Sequence, residues 1–175
     1  MIRGWFAIYY RELLILKRKF FRQAASMSVA PLLYFIAFGF GMGRNVTIGG
    51  HSYLEFLVPG LVAMSSMTQA FAIGVEINVA RFYWHIFDEF QSAPIHNLAY
   101  VMGEVLAGIT RAVLSSAIIL IIGGMSGIIL SYNILFWLGV IFNAFVFSSA
   151  AVCSAMLVKS HGDQALLTNF IITPM

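Results

Sequence analysis

Cysteine is nearly absent: the 175-residue chain has one, Cys153, inside an apolar run. One cysteine makes no internal disulfide, and no Cys/His spacing fits a zinc site. Charge is also scarce. Asp, Glu, Lys and Arg make up 10% of the residues, against roughly 25% in an ordinary soluble domain. The sequence holds no Gly-x-x-x-x-Gly-Lys-Ser/Thr loop for cradling a nucleotide and no His-Glu-x-x-His metalloprotease order. Instead, 61% of the residues are hydrophobic and mean hydropathy is +0.90. A soluble globule of this size cannot hide so much apolar surface, because most of its residues still touch water. A water-soluble enzyme, a nucleic-acid-binding domain and a disordered tail are excluded. The composition predicts an integral membrane protein.

A helix crosses the bilayer core with about 20 mostly apolar residues. Residues 24–43, 56–77, 98–122 and 134–158 meet this, and a fifth apolar run begins near residue 165. The predicted fold is an all-α polytopic transmembrane helix bundle, with about four complete spans and the start of a fifth. An amphipathic interfacial helix over residues 1–23 precedes the membrane domain at 24–175. Net charge is +3, but the placement of the charges says more than their sum. Arg3, Arg11, Lys17, Arg18, Lys19 and Arg22 precede the first span, Arg81 follows the second and Lys159 the fourth. The loop after the first span has only Arg44, and residues 126–133 have no Lys or Arg. This bias predicts a cytoplasmic N-terminus, with residues 78–97 and 159–164 on the same side. The charged start is too long for a cleavable signal peptide.

On a helix advancing roughly 100° per residue, Ile2, Trp5, Phe6, Tyr9, Leu13, Leu16 and Phe20 share one face. Arg3, Arg11, Arg18 and Arg22 lie opposite. This pattern predicts a helix in the membrane interface, with Trp5, Arg11, Arg18 and Arg22 as anchors and lipid headgroups as partners. A connecting helix that also touches a partner is the sharper reading.

Between the second and third spans lies an aromatic-rich segment predicted as a short helix over residues 82–91, ended by Pro94. Trp84, Phe87 and Phe90 stand three apart, near one face. Such a helix fits a groove on a partner or anchors two spans in the interface. Within the spans, Glu104 and Arg111 lie seven apart and share a face, and ionisable groups at that depth are costly. Their rise is roughly 10 Å, so charges on neighbouring helices are expected, with Arg111 meeting Glu76. A substrate path is the alternative. Gln69, Asn143, Ser148 and Ser149 are expected to bridge helices. Tyr34, Phe35, Phe38 and Phe40 in the first span, and Phe136, Trp137, Phe142, Phe145 and Phe147 in the fourth, read as packing or lipid contacts rather than as a pathway lining. Asn45-Val46-Thr47 matches a glycosylation sequon and reads as chance.

Three passages carry a resemblance: Tyr53-Leu54-Glu55-Phe56-Leu57-Val58-Pro59-Gly60-Leu61, Glu89-Phe90-Gln91-Ser92-Ala93-Pro94, and Gly103-Glu104-Val105-Leu106-Ala107-Gly108-Ile109-Thr110-Arg111-Ala112. In order, spacing and topology they resemble the permease subunit of type-2 ATP-binding-cassette (ABC) transporters. The likeness is greatest to the branch that exports lipo-oligosaccharides of the nodulation-factor type and drugs. It implies six spans, both termini cytoplasmic, and two permease subunits, alike or different, working with two ABC ATPase subunits. ATP and Mg would be held by the ATPase alone, and no cofactor by this chain. The resemblance also implies that the loop after the second span receives the ATPase's movement. Phe87, Asp88, Glu89 and Phe90 would dock there beside Trp84, and Ala93 with Pro94 would form the corner into the third span. The location implied is a bacterial inner membrane. The apolar residues 169–175 predict a fragment of a longer permease, with a re-entrant terminus as alternative. Two rivals remain. One is an intramembrane enzyme using His85, Asp88, Glu89 and His96. The other is a passive channel or a non-pumping assembly subunit.

Overall fold

The computed structural model describes residues 2–42, 47–48, 50–93, 95–126 and 133–172. Its helices are α1 (Ile2–Arg18), α2 (Phe20–Tyr34), α3 (Tyr53–Phe71), α4 (Ile73–Phe82), α5 (Ile86–Ser92), α6 (Asn97–Met125), α7 (Ile134–Leu157) and α8 (His161–Ile172). A two-residue antiparallel ladder, Thr47 against Ser52 and Ile48 against His51, precedes α3. The predicted all-α polytopic bundle is therefore what the chain forms.

Three stretches among the described residues are long and apolar enough to cross a membrane: Tyr53–Phe82, Asn97–Met125 and Ile134–Leu157. They are the second, third and fourth predicted spans. Each starts at a side-chain cap that satisfies an otherwise free amide. Ser52 Oγ accepts from the Glu55 amide, His96 Nδ1 from Leu98, and Asn133 Oδ1 from Ile134. α3 and α4 form one rod with a single tightened turn at Ala72.

The first predicted span is helical but split. Pro31 has no amide to donate, and beyond it the Phe35 amide is shared between the Pro31 and Leu32 carbonyls. From Phe35 to Met42 the chain is π-helical, with bonds spaced five residues apart. α2 alone has 15 residues, fewer than the roughly 20 that a crossing takes. α8 starts at His161, four residues before its predicted beginning, and is capped by Ser160 Oγ accepting from the Asp163 amide.

Packing among α3, α6 and α7 uses small residues. Ala70, Ala112 and Ala144 form a fully buried knot where these helices meet. Below it pack Phe71, Ile73, Ile77, Val105, Val152 and Ala155. Above it pack Phe35, Val58, Val62, Ile119 and Val140. Lipid supplies no hydrophobic drive between helices, so close approach and polar bridges hold them. Ser65 and Ser115 hydroxyls pair across α3 and α6. Asn143 Nδ2 donates to Ser66 Oγ at 2.9 Å, and Ser148 Oγ to the Val105 carbonyl at 3.1 Å. Asn143 and Ser148 thus bridge helices as expected, whereas Gln69 lines a groove beside Tyr34 and Pro31. Of the aromatics noted in α7, Phe142 and Phe145 face outward while Phe136 and Phe147 pack against the core, and Tyr34 stacks on Phe38 on the outer side of the first predicted span.

Gly108 sits where α6 crosses α7, and a Cβ there would run into Ser148 and approach the Ala70 carbonyl. Gly108→Val is expected to cost about 1–3 kcal/mol by overpacking. It should lower the thermal unfolding midpoint of the purified protein, whereas Gly139→Val, at a glycine with open space around it, should not.

Candidate functional site

The amphipathic start folds as two helices. α1 ends at Arg18, Lys19 breaks the run, and α2 begins at Phe20. Arg22 therefore belongs to the first turn of α2 rather than to the interfacial helix. α1 also has three faces where two were expected. Ile8, Glu12 and Leu16 are buried, and the face they share docks on α6. There Gly103 meets Ile8 and Trp5, and the Tyr9 hydroxyl meets Thr110 Oγ1 at 2.9 Å. Phe6, Tyr10 and Leu14, spaced by four, form an exposed apolar stripe. Arg18 is exposed on the remaining side, Arg22 is exposed on α2, and Trp5 and Arg11 are half-buried.

Docking of α1 puts Glu12, 6% exposed, against the centre of α6. Its Oε2 lies 3.5 Å from Arg111 Nη2 and its Oε1 accepts from Arg11 Nη1 at 2.9 Å. Arg111 Nη2 also donates directly to Glu76 Oε2 on α4. The expected Arg111–Glu76 pair is present, and Glu12 is the member the sequence reading missed. The one sequence signal for it is its place four residues from both Ile8 and Leu16, an acidic residue on an otherwise apolar face. Burial pushes its carboxyl above the ordinary range, while Arg11 and Arg111 pull it back and Glu76 raises it further. Glu104 does not pair with Arg111. It sits one turn from Tyr100, its nearest polar neighbour on α6. These residues surround a cavity of about 240 Å³ between α1, α4 and α6, lined by Arg11, Glu12, Lys19, Glu76, Tyr100 and Glu104 and reached by Trp84.

Beside this cluster lies the loop helix. The segment predicted as helical over 82–91 breaks at Tyr83–His85. α4 runs through Phe82, His85 takes a left-handed conformation with φ 51°, and α5 starts at Ile86. A non-glycine residue in that region is uncommon. Trp84 therefore stands in the turn, 55% exposed, and is not on the helical face with Phe87 and Phe90. Those two rings turn inward. Each has its centroid 5.7 Å from that of Tyr100. Arg11 stacks over Phe90 at 5.2 Å and Arg81 over Phe87 at 5.7 Å. Arg81 Nη1 also donates to the carbonyls of Ala155 at 3.0 Å, Met156 at 3.3 Å and Val158 at 3.4 Å. It thereby satisfies the free carbonyl end of α7. Glu89 is exposed and Ala93 is extended, as suits a residue before proline. The Asp88 side chain and Pro94 lie outside the described residues, as does most of the sequon at Asn45. His85 and His96 are exposed, and His96 serves as the cap of α6. Tyr100 is not singled out from sequence, and Arg81 reads there only as an orienting charge after the second span, although a lone cation at the end of a span is also a signal for a helix-end clasp.

Comparison with known proteins follows the same outline. A family model described as "ABC-2 type transporter" matches residues 3–175. The chain is 28% identical to "Inner membrane transport permease YadH" of Escherichia coli K12 over 153 residues, covering 84% of this chain and 58% of that protein. It is 25% identical to "Nodulation protein J" of Azorhizobium caulinodans over 174 residues, 98% of this chain and 68% of that protein. Against "Nodulation protein J" of Rhizobium meliloti it is 28% identical over 178 residues, 98% and 67% of the two chains. The chain thus spans somewhat under three fifths of the length of the permease and about two thirds of the nodulation proteins. No solved structure matches it.

Removing Arg111 leaves two carboxylates facing each other. Breaking a fully buried pair costs about 3–5 kcal/mol, and less here because the Glu76 side chain is 40% exposed. Arg111→Met is expected to reduce folded protein in detergent, measured by size-exclusion recovery. Arg111→Met combined with Glu12→Gln and Glu76→Gln should restore much of it. A single variant that assembles normally but no longer transports would instead assign Arg111 to the substrate path.

Proposed function

The chain belongs to the ABC-2 type transporter family, and from that premise we propose that it is a membrane-spanning permease subunit of an ATP-driven exporter. It is a multi-pass membrane protein, and its relatives include a transport permease. The partners in this reading are a separate ABC ATPase, which carries the ATP and Mg, and a second permease subunit that completes the path. The substrate class is a lipid-like molecule, an oligosaccharide or a drug, following the branch the sequence resembles. The membrane is a bacterial inner membrane. The N-terminus and α5 lie in the cytoplasm, in keeping with the excess of Lys and Arg on that side.

One observation carries this reading. α5 is the piece of the loop through which movement would enter the membrane domain, and its two inward rings rest on Tyr100 of α6 while Arg11 of α1 lies on top. A push on α5 therefore bears on α1 and α6 together. It also meets α7 through Arg81. With Phe87 and Phe90 turned inward, the surface left for the ATPase is Trp84 and Glu89, joined in this reading by Asp88 and the Ala93–Pro94 corner. An acidic residue there suits a basic patch on the partner.

Purification of the full-length protein from its own membrane in mild detergent, followed by mass spectrometry, tests this. A co-purifying subunit with a P-loop is the expected result. Glu89→Lys should cut its recovery severalfold without changing the amount of permease. Unchanged recovery would move the docking surface elsewhere. Absence of any P-loop subunit, under conditions that keep a known exporter whole, would favour the passive channel.

A further inference from the structure

The cavity between α1, α4 and α6 contains an imbalance that the charge cluster does not resolve. Glu12 is matched by Arg11 and Arg111, and Glu76 by Arg111. Glu104 is 2% exposed and forms no ion pair among the described residues; its neighbour is the Tyr100 hydroxyl. Lys19, which lines the same cavity, is exposed and is likewise without an ion pair among the described residues. The cavity lining thus includes a buried carboxyl and an exposed ammonium, neither held in an ion pair among the described residues. Buried ionised groups are stable only when paired. Tyr100 and Trp84 also line the cavity, and aromatic rings attract cations; Ile15 and Ile77 add apolar surface to the lining.

The geometry points to a binding site for a primary-ammonium phospholipid headgroup, of the phosphatidylethanolamine kind, drawn from the leaflet against which α1 lies. The ammonium would bond to Glu104 inside and the phosphate would meet Lys19, with Arg11 nearby, at the opening. A volume of about 240 Å³ is below the roughly 300–1,000 Å³ of whole-ligand pockets. It suits a headgroup whose chains stay in the bilayer. An interfacial helix with aromatic and basic sides brings such headgroups to the opening. The inference rests on the chain being a multi-pass membrane protein. It does not depend on ATP-driven export, and its test needs no ATPase.

The test is native mass spectrometry and thermal unfolding of the full-length permease in mild detergent. The titrants are phosphatidylethanolamine, phosphatidylcholine, phosphatidylglycerol and water-soluble glycerophosphoethanolamine. Phosphatidylethanolamine should bind about tenfold or more tightly than the other two lipids, the size of one charge-assisted hydrogen bond. Phosphatidylcholine has no ammonium hydrogens to donate and phosphatidylglycerol has no ammonium. Glu104→Gln should abolish the preference while leaving the lipid-free unfolding midpoint unchanged or higher. Lys19→Gln, an exposed change that leaves the fold intact, should weaken phosphatidylethanolamine and phosphatidylglycerol alike. A preference that survives Glu104→Gln overturns the site, as does equal binding of the three lipids, which would leave Glu104 a structural residue beside Tyr100. If Glu104→Gln does not fold, unchanged lipid binding in Lys19→Gln overturns it instead. Competition by glycerophosphoethanolamine at the same concentration as the lipid would overturn the lipid as the source.

Discussion

A guanidinium halfway along an apolar helix sets the terms for everything around it. Placing Arg at the centre of a membrane helix costs about 3 kcal/mol on insertion scales and more by other measures. In this chain the cost is offset by bringing two other segments to Arg111. α4 supplies Glu76 and α1 supplies Glu12. α1 must therefore lie along α6 rather than drift in the interface, and Gly103 is bare of side chain where Ile8 comes close. Once α1 is held there, Arg11 is above Phe90 and the loop helix has a fixed seat. The ion pairs do more to specify the arrangement than to stabilise it, since apolar residues of similar volume often match or exceed a buried pair in stability.

The spans were legible because bilayer thickness imposes a length and the hydropathy of residues 56–77, 98–122 and 134–158 meets it without ambiguity. Their ends were less so. α3 begins at Tyr53 and α6 extends to Met125, because caps and solvated turns continue a helix past the point where hydrophobicity fades. The first span shows the limit of pattern reading. Its apolar run looks uniform, yet one missing amide at Pro31 precedes a change in hydrogen-bond spacing, and no hydropathy window contains that information.

At the site, the pairing of Arg111 with Glu76 could be inferred because both are rare charges at matching depth. Glu12 could not, since its partner lies 99 positions away and the basic residues around it dominate the local pattern. The facing of Phe87 and Phe90 was equally hidden. A three-residue spacing says that two rings share a side of a helix, but which side is covered depends on Tyr100, brought there by the fold. The left-handed turn at His85 removed Trp84 from that side, a backbone choice that no side-chain periodicity announces.

The three carbonyls gathered by Arg81 have a mechanical meaning. A helix end without such a clasp frays and takes up slack, so that displacement at one point dies out within a turn. Here the last turn of α7 is fastened to the residue that also supports Phe87, and α8 begins at His161, three residues beyond Val158. The end of α7 and the seat of α5 on α6 therefore share one support, so a change at Arg81 reaches both contacts at once.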